Sequence, residues 1–407
     1  MAVQRKGKIE TAEFSRESVV QIRTVLLLTF ASSHATYNYG SPPPHPRPDD
    51  DAPVLLKDLE HKKSLKAEAE LPNVMIEITR FWHGSTNLSS KLQDVEGATV
   101  FEVPFSLKRF DPPELAFDAL DKKKVQRVKR TEVTKVLKGF RPLHLPVNFN
   151  PAGRVKGTDV PISEGGNRAV NVFTPDDRYI FQDTAFPWST TGKVQTASKG
   201  CTGTMVGRRL MLTASHCIQW NKTGPIGWVK FTPAYYKGAA PFGTAWGERI
   251  LYWNRAPGPN LTNFETAFDY VVVVLDRNIG NLTGYTGFRT YSPSWNNGHY
   301  WQQIGYPSDL SNGEAPAFSG NGSITSVDAY LTKGFHIGYV LGNFIDIVKG
   351  HSGGPYWGWW KNEPWPRVVA TCSSESFKPK KDKSGDNNAG GGPALYSLIS
   401  YARKNYS

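Results

Sequence analysis

From Thr204 onward the chain alternates short apolar runs with breaks rich in Gly, Asn and Pro. The runs fall at Thr204–Thr213, Gly227–Phe231, Tyr270–Leu275, Trp301–Gly305, Ser323–Val327, Gly338–Leu341 and Arg367–Cys372. Runs of this length, bounded by turn formers, predict strands. Many strands at close intervals point to barrels rather than to a parallel sheet. Arg208-Arg209 interrupts the first run and predicts a hairpin turn. The period changes after Pro393, where Leu395, Leu398, Ile399 and Ala402 recur at helical spacing and predict a C-terminal helix. Phe377–Gly392, rich in Lys, Gly and Asn, predicts a mobile loop.

The first third patterns differently. Val25–Ala31 is a short apolar run with basic residues before it and small residues up to Ala35, which predicts a secretory signal-like segment over 1–35. The run is too short to cross a bilayer as a helix, and a buried strand is its structural alternative. Thr36–Asp51 is rich in proline and predicts an extended linker. Beyond it, charged runs mix with apolar patches such as Val74–Ile78 and Phe101–Phe105, and no catalytic constellation is present up to Arg168. Residues 36–168 are therefore expected to be linker and pro-segment, with the functional domain at 169–407. Arg127–Arg130 and Arg168-Ala169 are the expected processing points, the second giving the final N-terminus.

Composition narrows the class. The chain has 407 residues and a formal net charge of +12, from 48 Lys and Arg against 36 Asp and Glu. Its basic residues are not gathered into a stripe with aromatic platforms, so no nucleic-acid partner is expected. Only the Lys122–Arg130 cluster favours a basic nuclear protein. Sequons at Asn87, Asn221, Asn260, Asn281, Asn321 and Asn405 agree with the secretory route. Three cysteines allow one pair with one left over. Cys201 and Cys217 flank the predicted hairpin, and Cys372 reads as a buried, inert thiol. The nine histidines show no metal-ligand spacing and there is no H-E-x-x-H helix, so no metal or cofactor is expected.

The chemistry centres on Gly350-His351-Ser352-Gly353-Gly354-Pro355. Glycine on both sides of a serine permits a tight turn in which backbone N–H groups converge, and Gly350 and Ser352 would supply them. A serine also needs a base, and a base needs orienting. Upstream lie His216, in Thr213–Cys217, and Asp269, at the start of Asp269–Leu275. A carboxylate entering so apolar a strand requires a hydrogen-bonding partner. The order His216, Asp269, Ser352 resembles the chymotrypsin/trypsin-like serine proteases. Asp176–Arg178, Cys201–Gly203, His216–Ile218, Asp269-Tyr270, Ile279–Asn281, Gly305–Pro307 and Gly350–Gly353 resemble, in order, its secreted glutamyl endopeptidase branch.

The resemblance covers roughly residue 170 to the end. It implies an all-β fold of two antiparallel six-stranded barrels. The first would run to about Gly287 and carry His216 and Asp269, and the second would carry Ser352. A C-terminal helix would pack on the second barrel and a pro-segment would precede the domain. It also implies a Cys201–Cys217 disulfide, a Ser-His-Asp triad acting on protein or peptide substrates, and no membrane partner. The expected product is a secreted, extracellular monomer. His351 stands where trypsin-like zymogens carry an activating aspartate, so activation through that ion pair is not expected. Asp346 occupies the place of trypsin's basic-selective aspartate. Thr371 falls where the glutamyl branch has a carboxylate-binding histidine, which places glutamate selectivity in doubt. Lys349 offers a positive charge near the cleft. The alternative function is a catalytically silent homologue that binds protein or glycan.

Overall fold

The computed structural model describes residues 52–59, 135–155, 172–173, 175–221, 225–256, 258, 260–331, 336–361, 363–375 and 387–407, with the backbone of strands at 93–95, 98–100 and 126–127. The signal-like run, the linker up to Asp51, the Arg168-Ala169 processing point and Asn87 lie outside the described residues.

Six strands close the first barrel in the order Val229–Pro233, Ala245–Tyr252, Val271–Leu275, Leu210–Thr213, Gly200–Gly207 and Thr191–Thr196. Val271–Leu275 explains its own apolar run. Val271, Val273 and Leu275 point into the barrel with Met205, Met211, Phe231 and Ile250. Val272 and Val274 point outward onto Leu395, Leu398, Ile399 and Ala402. Side chains alternate between the faces of a strand, and here both faces are buried. The C-terminal helix Pro393–Tyr406 therefore lies partly on the first barrel, not on the second alone. Trp253 Nε1 donates to Ala394 O at 2.8 Å, and Arg403 Nη2 to Thr286 O at 3.0 Å.

The second half is a larger antiparallel sheet. Its order is Ile324–Leu331, Ile337–Asn343, Asn387–Gly391, Arg367–Glu375, Pro355–Trp360, Trp301–Gly305, Ala317–Gly322 and Tyr179–Ile180. Among the described residues the strand pairings of this second sheet are not traced to closure. Asn387–Gly391 corrects the loop expected over Phe377–Gly392, because it is a fully buried central strand. Its composition is poor for a strand, but a side chain at Gly390 would strike Thr266 O at 2.5 Å and one at Gly391 would strike Val369 O at 2.7 Å. Close packing outweighs propensity there.

Parts of the segment expected to be separable are built into this fold. Pro53 and Val54 pair with Trp360 and Trp359, and Leu59 is 1% exposed. Val136–Leu137 pairs antiparallel with the strand Gly287–Arg289. Leu145 packs with Phe186 and Trp365.

Candidate active site

His216 sits in a single 3-10 turn, Ser215–Cys217, that leaves the end of the strand Leu210–Thr213. The turn is held from several sides. Cys217 is bridged to Cys201. Ser215 Oγ donates to Asn254 O at 2.7 Å and accepts from Ala256 N at 3.1 Å, while Lys199 Nζ donates to His216 O. A bridge at this end of the hairpin ties the histidine to the barrel wall.

Asp269 is presented from the opposite element. The short helix Asn263–Ala267 carries a capping box, in which Thr262 Oγ1 accepts from Glu265 N and Glu265 reaches back to Thr262 N. Asp269 follows it and is fully buried. A buried carboxylate must be satisfied, and this one accepts three hydrogen bonds. His216 N donates to Oδ1 at 2.8 Å, His216 Nδ1–H to Oδ2 at 2.6 Å, and Ser373 Oγ to Oδ2 at 2.5 Å. The first two fix both the backbone and the ring of His216 against a single carboxylate. With Nδ1 as donor, Nε2 carries the lone pair and can accept a proton. Ser373 was not singled out from the sequence; its register two residues past Thr371 was the available signal.

The serine turn is docked onto the histidine hairpin by Thr202. Thr202 N donates to Ser352 O at 2.8 Å, and Thr202 Oγ1 donates to Gly350 O at 2.7 Å. Thr213 Oγ1 donates to Thr202 O at 2.8 Å, so one threonine joins the strand before His216 to the turn around Ser352. Gly353, at φ +84°, has no space for a side chain: its Cβ would lie 2.2 Å from Thr213 Oγ1 and 2.8 Å from Ala214 N. Gly350, at φ +105°, is equally confined by Tyr306 O at 2.1 Å. Within the turn, His351 N, Gly353 N and Gly354 N all have carbonyl acceptors. Gly350 N and Ser352 N have none among the described residues. Two amides of one turn left open in this way can bind an oxyanion. No hydrogen bond joins Ser352 Oγ to His216 in this structure; such contacts are commonly loose before substrate arrives.

The remaining sequence candidates divide. Asp346 is not open to a substrate. It is 4% exposed, Oδ1 accepts from Phe173 N at 2.6 Å and Oδ2 from Asp177 N at 3.2 Å. Burial pushes its carboxyl up to about 6 against those two amides, with Asp176 and Asp177 adding to the rise. Thr371 is fully buried opposite Pro355 in the sheet. Its Oγ1 has no partner among the described residues. Lys349 is exposed and lines a groove beside Gly350. His351 is fully buried, and its Nδ1–H donates to Gln303 Oε1 at 2.6 Å. Burial, with Arg178 nearby, holds its pKa well below the ordinary value, so the imidazole is neutral. Cys372 is buried and unbridged, and burial pushes its thiol up. Among the described residues no three His, Cys, Asp or Glu side chains gather as metal ligands.

Residues 179–358 match the family model described as Trypsin. The chain carries a trypsin-family domain. The glutamyl endopeptidase of Bacillus licheniformis is 28% identical over 187 residues, covering 46% of this chain and 54% of that protein. A protein named extracellular metalloprotease in Bacillus subtilis is 26% identical over 149 residues, covering 34% of this chain and 45% of that protein. The chain thus spans about half the length of these two relatives. Among solved structures, a Glu endopeptidase in complex with MPD aligns with a TM-score of 0.47 at 20% identity, covering 58% of this chain and all of that one. The domain at residues 179–358 is thus similar to serine proteases.

Proposed function

We propose that this chain is a secreted serine endopeptidase made as a precursor, with Ser352 as nucleophile, His216 as general base and Asp269 as its orienting partner. The observation that carries the reading is the His216–Asp269 pair, 2.6 Å apart, beside a turn whose Gly350 and Ser352 amides are open. His216 Nε2 takes the Ser352 proton as Oγ attacks the scissile carbonyl. The carbonyl oxygen, now anionic, moves onto the Gly350 and Ser352 N–H groups. Each such donor is worth roughly 10²–10³ in rate. Collapse returns the proton from His216 to the leaving amine and leaves an acyl-serine. A water deprotonated by His216 then releases the acid. Asp269 stays ionised and stabilises the imidazolium.

The Cys201–Cys217 bridge and exposed sequons at Asn221, Asn260, Asn321 and Asn405 support an oxidising, extracellular route. Activation by cleavage near Ala169, with an earlier cut at Arg130, completes the reading. The neutral, buried His351 supports an activation that does not pair a new N-terminus with this position.

The test is a fluorophosphonate active-site probe on the product of a secretory host, with a Ser352→Ala copy beside it. Labelling that disappears in the alanine copy, on a fragment beginning near Ala169, is the expected result. A folded and processed product that takes no label overturns the enzymatic reading and leaves that of a binding protein.

A further inference from the structure

Next to the serine turn lies a groove of about 370 Å³, walled by Gly350, Cys201, Tyr306 and Asn312. Its charged lining residues are all lysines: Lys193, Lys199 and Lys349. Lys193 is neutralised by Glu314, which also accepts from Tyr235 Oη. Lys199 is turned toward His216 O, an uncharged acceptor. Lys349 is exposed and has no carboxylate within ion-pair distance among the described residues. Lys199 also feels the buried Asp269, so Lys349 is the cation without a counter-ion, and it faces a groove with no acidic wall.

The position of the groove gives those charges a target. In acyl transfer the leaving amine must approach the imidazole that protonates it. The groove lies on that imidazole's flank, since its wall residue Cys201 is bridged to Cys217, the neighbour of His216. From this we infer, resting on the endopeptidase reading, that the groove receives an acidic side chain from the leaving-group side of the substrate. Lys349 is the principal specificity-determining residue and Lys199 the second charge.

An exposed ion pair contributes at most about 1 kcal/mol, which is about five-fold in rate. The experiment takes a peptide that the activated enzyme cleaves, found by mixture-based profiling. It compares versions carrying Glu or Gln at the first or second position past the cut. Glu and Gln share a shape, so the ratio of kcat/KM reads charge alone. The expected ratio is about five in favour of Glu at low salt, falling toward one as screening rises. In Lys349→Gln it drops by at least half, and in Lys349→Glu it inverts. A wild-type ratio of one, or a ratio unmoved by Lys349→Gln, overturns the inference while fluorophosphonate labelling persists. Loss of labelling in the wild type overturns the endopeptidase reading, and this inference with it.

Discussion

Cutting the chain after Arg168 and then separating the pieces tests how far the fold depends on the residues before Ala169. The segment 135–155 is not draped on the surface. Phe140 exchanges two backbone hydrogen bonds with Tyr285, at 2.8 and 2.9 Å. Leu145 is 9% exposed, and the Phe149 ring stands edge-on to Trp359 at 4.8 Å between centroids. Arg367 Nη1 donates to Leu137 O at 2.6 Å and Arg403 Nη1 to Lys138 O. Arg403 is half-buried, and desolvation lowers its pKa to about 10. Burying a Leu or Phe side chain contributes about 1.5–3 kcal/mol each. Each hydrogen bond from a charged group contributes about 1.5–3 kcal/mol. With Phe149 only half-buried, the two side chains and two hydrogen bonds give roughly 5–10 kcal/mol, against a typical total stability of about 5–15 kcal/mol. Even if reordering the segment offsets half of this, its loss should lower Tm by about 10 °C or more. The expectation is that the segment survives the cut as a bound fragment. It should co-elute in gel filtration, and stripping it in mild denaturant should lower Tm. A protease part that elutes alone with an unchanged Tm would refute the reasoning.

Three shorter expectations follow from single residues. Ser373→Ala removes the 2.5 Å donor to Asp269 Oδ2, and kcat should fall roughly ten-fold with little change in KM, as for loss of a charge-assisted bond; steady-state kinetics on one peptide checks it. His351 has a depressed pKa in the fold, so the unfolded chain binds the extra proton first; stability is full above the ordinary His value of about 6.5 and is lost as pH falls below it. Thermal melts of a His351→Gln copy should show a shallower acid limb, and an unchanged limb would count against the assignment. In a secretory host, glycopeptide mapping should find sugar at the exposed Asn260 and Asn321 but not at Asn281, whose Oδ1 is buried.

What was legible in the chain was whatever burial imposes on neighbouring residues. The Asp269–Leu275 run, apolar because both faces of its strand are buried, the Arg208-Arg209 turn and the helical spacing from Leu395 to Ala402 are local patterns, and each was found as read. The His216 turn could be placed because a histidine, a cysteine and an apolar strand stand side by side. Asn387–Gly391 could not, because its reason for being a strand is the space that Thr266 and Val369 deny to a side chain. The role of Thr202 was hidden for the same reason. Its bonds to Ser352 and Gly350 cross about 150 residues of sequence and leave no local pattern.

Asp346 shows how a motif position can be kept while its electrostatic use changes. An acid that selects a cationic side chain needs an ionised carboxylate with an oxygen open to the cleft. Here each oxygen already holds a backbone amide, from Phe173 and from Asp177. Burial with two more aspartates nearby pushes the group up to about 6, so it sheds charge just where a free carboxylate would keep it. The same amides bind the segment before the protease barrel to the base of the serine loop, which makes Asp346 an anchor for that segment. With this acid committed, the charge beside the serine turn that has no carboxylate within ion-pair distance among the described residues is Lys349. The field at the serine turn therefore favours an anionic neighbour over a cationic one, opposite in sign to what Asp346 alone implies.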